Sequence, residues 1–475
     1  MTNNPSLPVT QQLADFVSSL DWDAASPRVR SLIPLLLVDI FRAAAIGSDK
    51  PWTHSVEKLL GGPTDTVASA GAANGLMAQQ AALFYSNQQA SPAYAAFING
   101  TACGSLDWDD SHVAAIIHPG ICVWPAALAV AEAVQANGRQ LLTAVLAGYE
   151  VAIRIGMAIQ PEHSLRGFQG TPTCGVFGAA AASAKLLQLS AEQTRNALGI
   201  AASFACGISQ FFVSGSDIKR IHAGKAAANG VEAAFLANAG LSGPHDAIEG
   251  VQGFGRAFSD RFDPERALEN LGHTFPTEWI SLKTHVGSVR MQAAIEAAGV
   301  LARSGVAMED VASIEIGVHR AMIGKLTANQ PINSQHAQLS TPFAVAMAMQ
   351  LAPQRSGPFI LSIDDYDRCL NDEQVRDLSA RIECAADPDV ERLTTAESVP
   401  ARVTCLMRDG RRFEQFIEHP KGCPQNPLTP DEIFDRFKSI AGARCEQQAI
   451  ETWLTHVRQL ESLPSIKPLL ALRPR

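Results

Sequence analysis

SAEQTRNALGIAASFA, residues 190–205, decides the class of fold. Ser190 followed three residues later by Gln193 has the spacing of a capping box, in which each side chain satisfies a backbone amide at a helix start. The helix it begins carries small residues through LGIAASFA, and small side chains let helices approach closely. The same reading extends outward. Ser26-Pro27 suits an N-cap followed by proline in the first turn, and Trp124-Pro125 is expected to open a helix through AALAVAEAVQAN that Gly138 ends. Residues up to about 270 therefore read as a tightly packed helical bundle.

The texture changes after about residue 275. Ile314, Ile316 and Val318 alternate with Glu315 and Gly317, the period of a half-buried strand. In ARVTCLMRDGRRFEQFIEHP, Asp409-Gly410 divides two strand-like runs, which predicts a hairpin with a type I′ turn. Residues 366–384 read as helical, and Thr429-Pro430-Asp431-Glu432 starts another capped helix. The expected architecture is mainly α. It has a large all-helical domain over 1–274, completed by 425–475, with a smaller α+β lid domain inserted at 275–424.

The bulk properties fit a large packed interior: 475 residues, 47% apolar and 18% charged. A formal net charge of −9 argues against nucleic acid as a partner, because backbone binding needs a basic surface. It leaves room for a small anion held by a few focused cations. Nine scattered cysteines without a C-x-x-C pair read as reduced thiols rather than a disulfide framework or an iron–sulfur site. The segment MTNNPSLPVTQQLADF lacks the pattern of a secretory signal, and the apolar runs 31–38 and 121–131 are too short to span a bilayer. A cytoplasmic protein without membrane partners is expected.

Three segments could carry chemistry. LDWDDSHVAAIIHPG (106–120) gathers Asp107, Asp109, Asp110, Ser111, His112 and His118 in apolar surroundings, a set able to bind a metal or to supply acid–base groups. The bland alternative is a capped helix end. In GSDIKRIHAGKAAANG (215–230), Lys219 and His222 share one helical face, against the alternative of a solvated basic face. Ser281-Leu282-Lys283-Thr284-His285, with Arg290 beyond, lies at the domain junction, where a surface-loop lysine is an equal alternative. No dinucleotide fingerprint, phosphate loop, H-E-x-x-H or G-x-S-x-G motif is present.

The order of NGTACGSLDWDDSH, HPG, PAALAVAE, LAGYEVAIRIG, TCGVFGAAAASAKLLQLSAEQTRNALGIAAS, GSDIKRIHAGKAAANGVEAAFLANAGLSGP and QLSTPFAVAMAM resembles the MmgE/PrpD family over nearly the whole chain. That family includes 2-methylcitrate dehydratase, cis-aconitate decarboxylase and iminodisuccinate epimerase. The resemblance implies an interdomain cleft, a homodimer, and chemistry on a small carboxylate without a metal or other cofactor. It places Asp107, His118, Lys219 and Lys283 in catalytic positions, with Ser111 and Gln169 orienting substrate. His112, His222, His285 and Arg290, from the three segments themselves, are further candidate substrate groups. Two departures stand out. Gln169 falls where relatives commonly have histidine, and Thr284-His285-Val286-Gly287 replaces an aromatic-Pro-x-Cys run. Glutamine can hydrogen-bond but cannot shuttle a proton near neutral pH. The first expectation is a 2-methylcitrate dehydratase-like hydro-lyase, with a decarboxylase or epimerase as alternatives. A non-catalytic ligand-binding protein is the reading from another class.

Overall fold

The computed structural model describes residues 8–59 and 75–475. Helices dominate: α1 (Val9–Ser19), α2 (Pro27–Gly47), α3 (Pro92–Cys103), α4 (Gly120–Ala133), α5 (Gly138–Ile159), α6 (Gly170–Leu186), α7 (Ala191–Phe204) and α8 (Ile218–Asn238) come first. Later come α9 (Gln292–Arg303), α10 (Thr341–Leu351), α11 (Pro430–Ala441) and α12 (Gln447–Arg458). The cap signals hold. The Ser26 side chain accepts from the Val29 amide with Pro27 in the first turn, and the Ser190/Gln193 and Thr429/Glu432 boxes are complete.

Two helix boundaries depart from expectation. Trp124-Pro125 opens nothing: Pro125 lies inside α4, which starts at Gly120. The Gly120 amide donates to the buried Asp110 carboxylate at 3.0 Å, a tertiary partner that no local cap signal reveals. Gly138 begins α5 rather than ending α4, because Asn137 and Gln140 form a capping box there.

The glycines and alanines are explained by helix packing. A Cβ at Gly230 of α8 would sit 2.6 Å from the Ala180 amide of α6, and one at Gly224 would sit 2.7 Å from the Thr101 amide of α3. α8 is thus wedged against both neighbours at backbone distance. Helix α5 is long and apolar enough to cross a membrane by length and composition, contrary to the expectation that the apolar runs are all short. Its 18-residue apolar stretch is wholly buried inside the protein, and only Arg139 and Gln140 in its first turn reach the surface. Its Glu150–Arg154 pair, 2.9 Å apart, is enclosed, with Arg154 also donating to the Glu269 and Thr274 carbonyls.

Two apolar cores result. The larger gathers α1–α8 with α11 and α12 and extends to Leu282; the smaller begins with Leu106 and Trp108 and takes most of its residues from 286–407. A two-strand ladder, β1 (Asp110–His112) with β2 (Ile280–Leu282), pairs antiparallel between them. The smaller core is covered by a sheet of order β4-β3-β5-β6, with β3 Val311–Val318, β4 Ile382–Ala386, β5 Ala401–Met407 and β6 Arg412–Ile417. β4 corrects the helical reading of 366–384: helices occupy Ile363–Cys369 and Glu373–Ala380, but Ile382 pairs in parallel with Ile314. That pairing is non-local, so nothing in the short run around Ile382 announces it.

The β5–β6 hairpin forms where expected, yet its turn is longer than type I′. Gly410 alone has a left-handed φ (87°), its amide donates to the Met407 carbonyl (3.0 Å), and the Met407 amide donates to the Arg411 carbonyl (2.8 Å). This is the three-residue loop with a glycine bulge. The Asp409 carboxylate selects it by accepting from the Arg411 amide and guanidinium.

Candidate active site

The β1–β2 ladder builds the site. Pairing Asp110 with Leu282 brings Lys283, the next residue, beside the Asp107–Asp109 segment. Asp107 holds a left-handed φ of 54°, a conformation that disfavours most side chains and is least costly for aspartate or asparagine. In that conformation its carboxylate meets two ammoniums. Oδ1 lies 2.8 Å from Lys283 Nζ, and Oδ2 lies 2.9 Å from Lys219 Nζ at the start of α8. Lys283 Nζ also donates to the Asp107 carbonyl (2.8 Å) and to Asp109 (3.3 Å). Far from being a surface-loop lysine, Lys283 is 1% exposed.

The charges fit one another. Burial pushes the Asp107 carboxyl upward, but Lys219, Lys283 and His118 outweigh it and hold it well below the usual carboxylate range. Burial likewise opposes ionisation of Asp109, and Lys283 and His118 bring it down to about 2. Lys283 is raised: burial acts against its charge, and the two aspartates more than compensate. Asp110 differs. Enclosed, and accepting from Tyr149 (2.7 Å) and the Gly120 amide, it is pushed up by burial to about 7.

His118 faces this cluster from the other side. Its Nδ1 lies 2.9 Å from the Asp110 carbonyl, 2.9 Å from Ser111 Oγ and 3.1 Å from Asp109 Oδ2. A carbonyl and a carboxylate both need a donor, so the tautomer they assign is Nδ1–H. Nε2, 3.8 Å from Asp107, is then the atom able to exchange a proton with a bound molecule. The His118 amide is held by Thr171 (3.1 Å) at the start of α6.

Gln169 and His222 form an adjoining pair, the glutamine oxygen accepting from His222 Nδ1 at 2.5 Å. His222 is lowered to about 4 by burial and then by the Lys219 charge. Two other histidines stand outside the cluster. In β1 side chains alternate, so Ser111 faces His118 while His112 turns into the core beside Trp279, its Nδ1 accepting from the Ala115 amide. His285 accepts from the Leu361 amide and packs on Phe359. Burial brings both down to about 3. Arg290 lies in the turn after the Lys283 loop, which is tied to the site where the Gly287 amide donates to the Asp107 carbonyl (3.2 Å). Gly287 has a φ of 119°, which only glycine adopts freely.

Sequence reasoning left Tyr149 and Trp108 out of the site and gathered Asp109 in the cluster without giving it a role of its own. Asp109 joins Lys283 to His118, Tyr149 holds Asp110, and Trp108 donates to the carbonyls of Lys283 and Thr284 (3.0 and 3.1 Å). The Arg42 and Arg436 guanidiniums lie 4.1 and 5.3 Å from the Trp108 ring centroid, and Arg436 donates to the Lys283 carbonyl as well (2.8 Å). Tyr149, a phenol hydroxyl deep in an apolar helix, was the one legible signal, since a buried hydroxyl needs a partner. Among the described residues Asp107, Asp109 and His118 form the one trio able to surround a cation. The Lys283 ammonium already lies against both of its carboxylates and supplies the positive charge there.

Comparison with known proteins places the chain in a family. A cis-aconitate decarboxylase-like protein, oryM, of Aspergillus oryzae is 26% identical over 99% of each chain. The cis-aconitate decarboxylase of Aspergillus terreus is 25% identical, covering 99% of this chain and 96% of its own. The human cis-aconitate decarboxylase is 27% identical over 80% of this chain and 79% of its own. The MmgE/PrpD N-terminal domain matches residues 11–267 and the C-terminal domain residues 287–461, and the chain belongs to the MmgE/PrpD family.

Proposed function

We propose that this chain is a lyase that removes carbon dioxide from a cis-aconitate-like tricarboxylate. This reading stood second to a 2-methylcitrate dehydratase on sequence alone. It moves ahead because relatives aligned over almost the whole chain carry the decarboxylase name. The observation that carries an enzymatic rather than a merely binding role is the convergence of His118, Asp107, Asp109, Lys219 and Lys283 from three distant parts of the chain.

In cis-aconitate a methylene carboxylate sits next to a carbon–carbon double bond. When its C–C bond to carbon dioxide breaks, the electron pair enters a new double bond to the central carbon. The old double bond's electrons move to the far carbon, which takes a proton. Charge therefore develops on carbon beside a carboxylate. Lys219 and Lys283, fixed in advance by Asp107 and Asp109, stabilise that charge without reorganisation. His118 Nε2 serves as the proton donor, oriented by Asp109, Ser111 and the Asp110 carbonyl. The smaller unit acts as a lid that excludes water, and a cofactor-free homodimer accompanies this reading.

The test is incubation with cis-aconitate, 2-methylcitrate and citrate, followed by carbon dioxide release and proton NMR of the products. Carbon dioxide from cis-aconitate supports the proposal. Loss of water from 2-methylcitrate with no decarboxylation would overturn it in favour of the hydro-lyase.

A further inference from the structure

Gln169 and His222 stand near the starts of two helices that both touch the inner cluster. Gln169 caps α6, and two residues later Thr171 accepts from the His118 amide at 3.1 Å. His222 lies one turn along α8 from Lys219, whose Nζ is 2.9 Å from Asp107 Oδ2. Residues three apart on a helix share a face. The two histidines therefore flank the Asp107 carboxylate. His118 is on the Oδ1 side, 3.8 Å away, and His222 is beside the lysine that holds Oδ2.

The contact between Gln169 and His222 decides which ring nitrogen is open. A carbonyl oxygen can only accept, so the 2.5 Å contact puts the proton on Nδ1 and leaves the lone pair on Nε2. Among the described residues Nε2 has no partner, and unlike Nε2 of His112 it is not enclosed. The ring is held by its neighbours. The Gln169 amide donates to the Gly207 carbonyl (3.1 Å), a Cβ at Gly207 would sit 3.6 Å from His222 Nδ1, and Phe211 meets the ring edge-on at 6.0 Å. With burial and the Lys219 charge lowering it to about 4, the ring is uncharged at neutral pH. Decarboxylation makes no use of this open nitrogen, because His118 supplies the one proton that reaction needs.

We propose that His222 is a second proton-transfer group, oriented by Gln169, and that the chain exchanges a hydrogen of its own product from the face opposite His118. This rests on the decarboxylase reading and adds an activity to it. In methylenesuccinate, the product from cis-aconitate, the saturated methylene lies between a carboxylate and a double bond. His222 Nε2 takes a proton from that carbon. The C–H electron pair spreads over the double bond and the carboxylate, beside the Lys219 ammonium. The proton on Nε2 exchanges with solvent, and a solvent proton returns to the same carbon. Nothing is oxidised or reduced, and the acid is chemically unchanged.

The test is decarboxylation of cis-aconitate by the full chain in heavy water, with deuterium in the product counted by mass spectrometry and proton NMR. The methylene keeps one hydrogen of the substrate and takes one deuterium from His118. His118 removes and returns only the deuterium on its own face, so a second deuterium requires a group on the other. Wild type left with its product well beyond the end of carbon dioxide release should yield the doubly labelled acid. His222→Asn keeps a donor for Gln169 and should stop at one deuterium, whatever its rate. Gln169→Leu removes the acceptor and should slow the second label by about tenfold, whereas Gln169→Glu keeps an acceptor and should retain it. A single deuterium in the wild-type product, or two in the product of His222→Asn, overturns the proposal and leaves the decarboxylase reading standing. No carbon dioxide from the wild type removes both.

Discussion

The indole nitrogen of Trp108 donates to the main-chain carbonyl of Lys283 at 3.0 Å, so the ring that packs against two guanidiniums also fixes the backbone of the buried ammonium. Trp108→Phe keeps an aromatic ring against them and deletes the donor shared by Lys283 and Thr284. It should cost about 1–2 kcal/mol in urea unfolding. The KM for substrate should rise as Lys283 gains freedom. An unchanged midpoint and KM would show that Arg436 alone suffices.

Lys283 and Lys219 both hold Asp107, but from different depths. Lys283 is enclosed, and its removal leaves two carboxylates without their nearest cation. Lys283→Met should therefore destabilise the fold by about 3–5 kcal/mol. Lys219 is 9% exposed at its side chain, and Asp107 keeps Lys283 when it is lost. Lys219→Met should lower activity strongly with a smaller change in melting temperature. The reverse ranking in calorimetry would contradict this division of roles between the two lysines.

His118→Asn retains a donor near Asp109 and Asp110 but has no proton to give at Nε2. Turnover should fall by ~10²–10⁴-fold. Binding of propane-1,2,3-tricarboxylate, measured calorimetrically, should change little. Loss of binding in parallel with turnover would make His118 a binding group instead.

Asp110 provides a pH test whose sign is fixed. Its carboxyl is raised to about 7 by burial, against 3.8 for an ordinary aspartate. Between those values the folded protein binds the extra proton. The contribution is complete below about pH 3.8 and is lost as pH rises through about 7. Asp110→Asn has no such proton to lose. Its melting temperature relative to wild type should climb between pH 4 and pH 7, and a flat difference would contradict the raised value.

Gly230→Ala tests the packing of α8 on α6. With the Ala180 amide 2.6 Å from the new Cβ, the helices must separate, at about 1–3 kcal/mol. Thermal unfolding should fall accordingly even though alanine is the better helix former.

Much of this was legible because it is local. Ser190, Gln193, Thr429 and Glu432 mark their helices through contacts made within one turn. Gly120, by contrast, begins α4 because of Asp110, and β4 is a strand because of Ile314. Neither partner is adjacent in sequence. At the site, residue types and their clustering pointed to the segment from Asp107 to His118, and the family resemblance singled out Asp107, Ser111 and His118 within it. The two-residue period of β1 was also available and separates Ser111 from His112. The burial of Lys283 was not available, because it depends on a ladder joining two distant segments.

That ladder has a consequence for synthesis. Lys283 and Asp107 are 176 residues apart, so most of the helical part of the chain leaves the ribosome before the ammonium that belongs between Asp107 and Asp109 exists. Until then the Leu106–His112 segment holds carboxylates whose enclosure would be unfavourable, and it should remain open on the nascent chain. Closing so long a loop is among the slower steps a chain can take. The site is therefore completed late, by the arrival of one side chain, after the helices around it can already have packed.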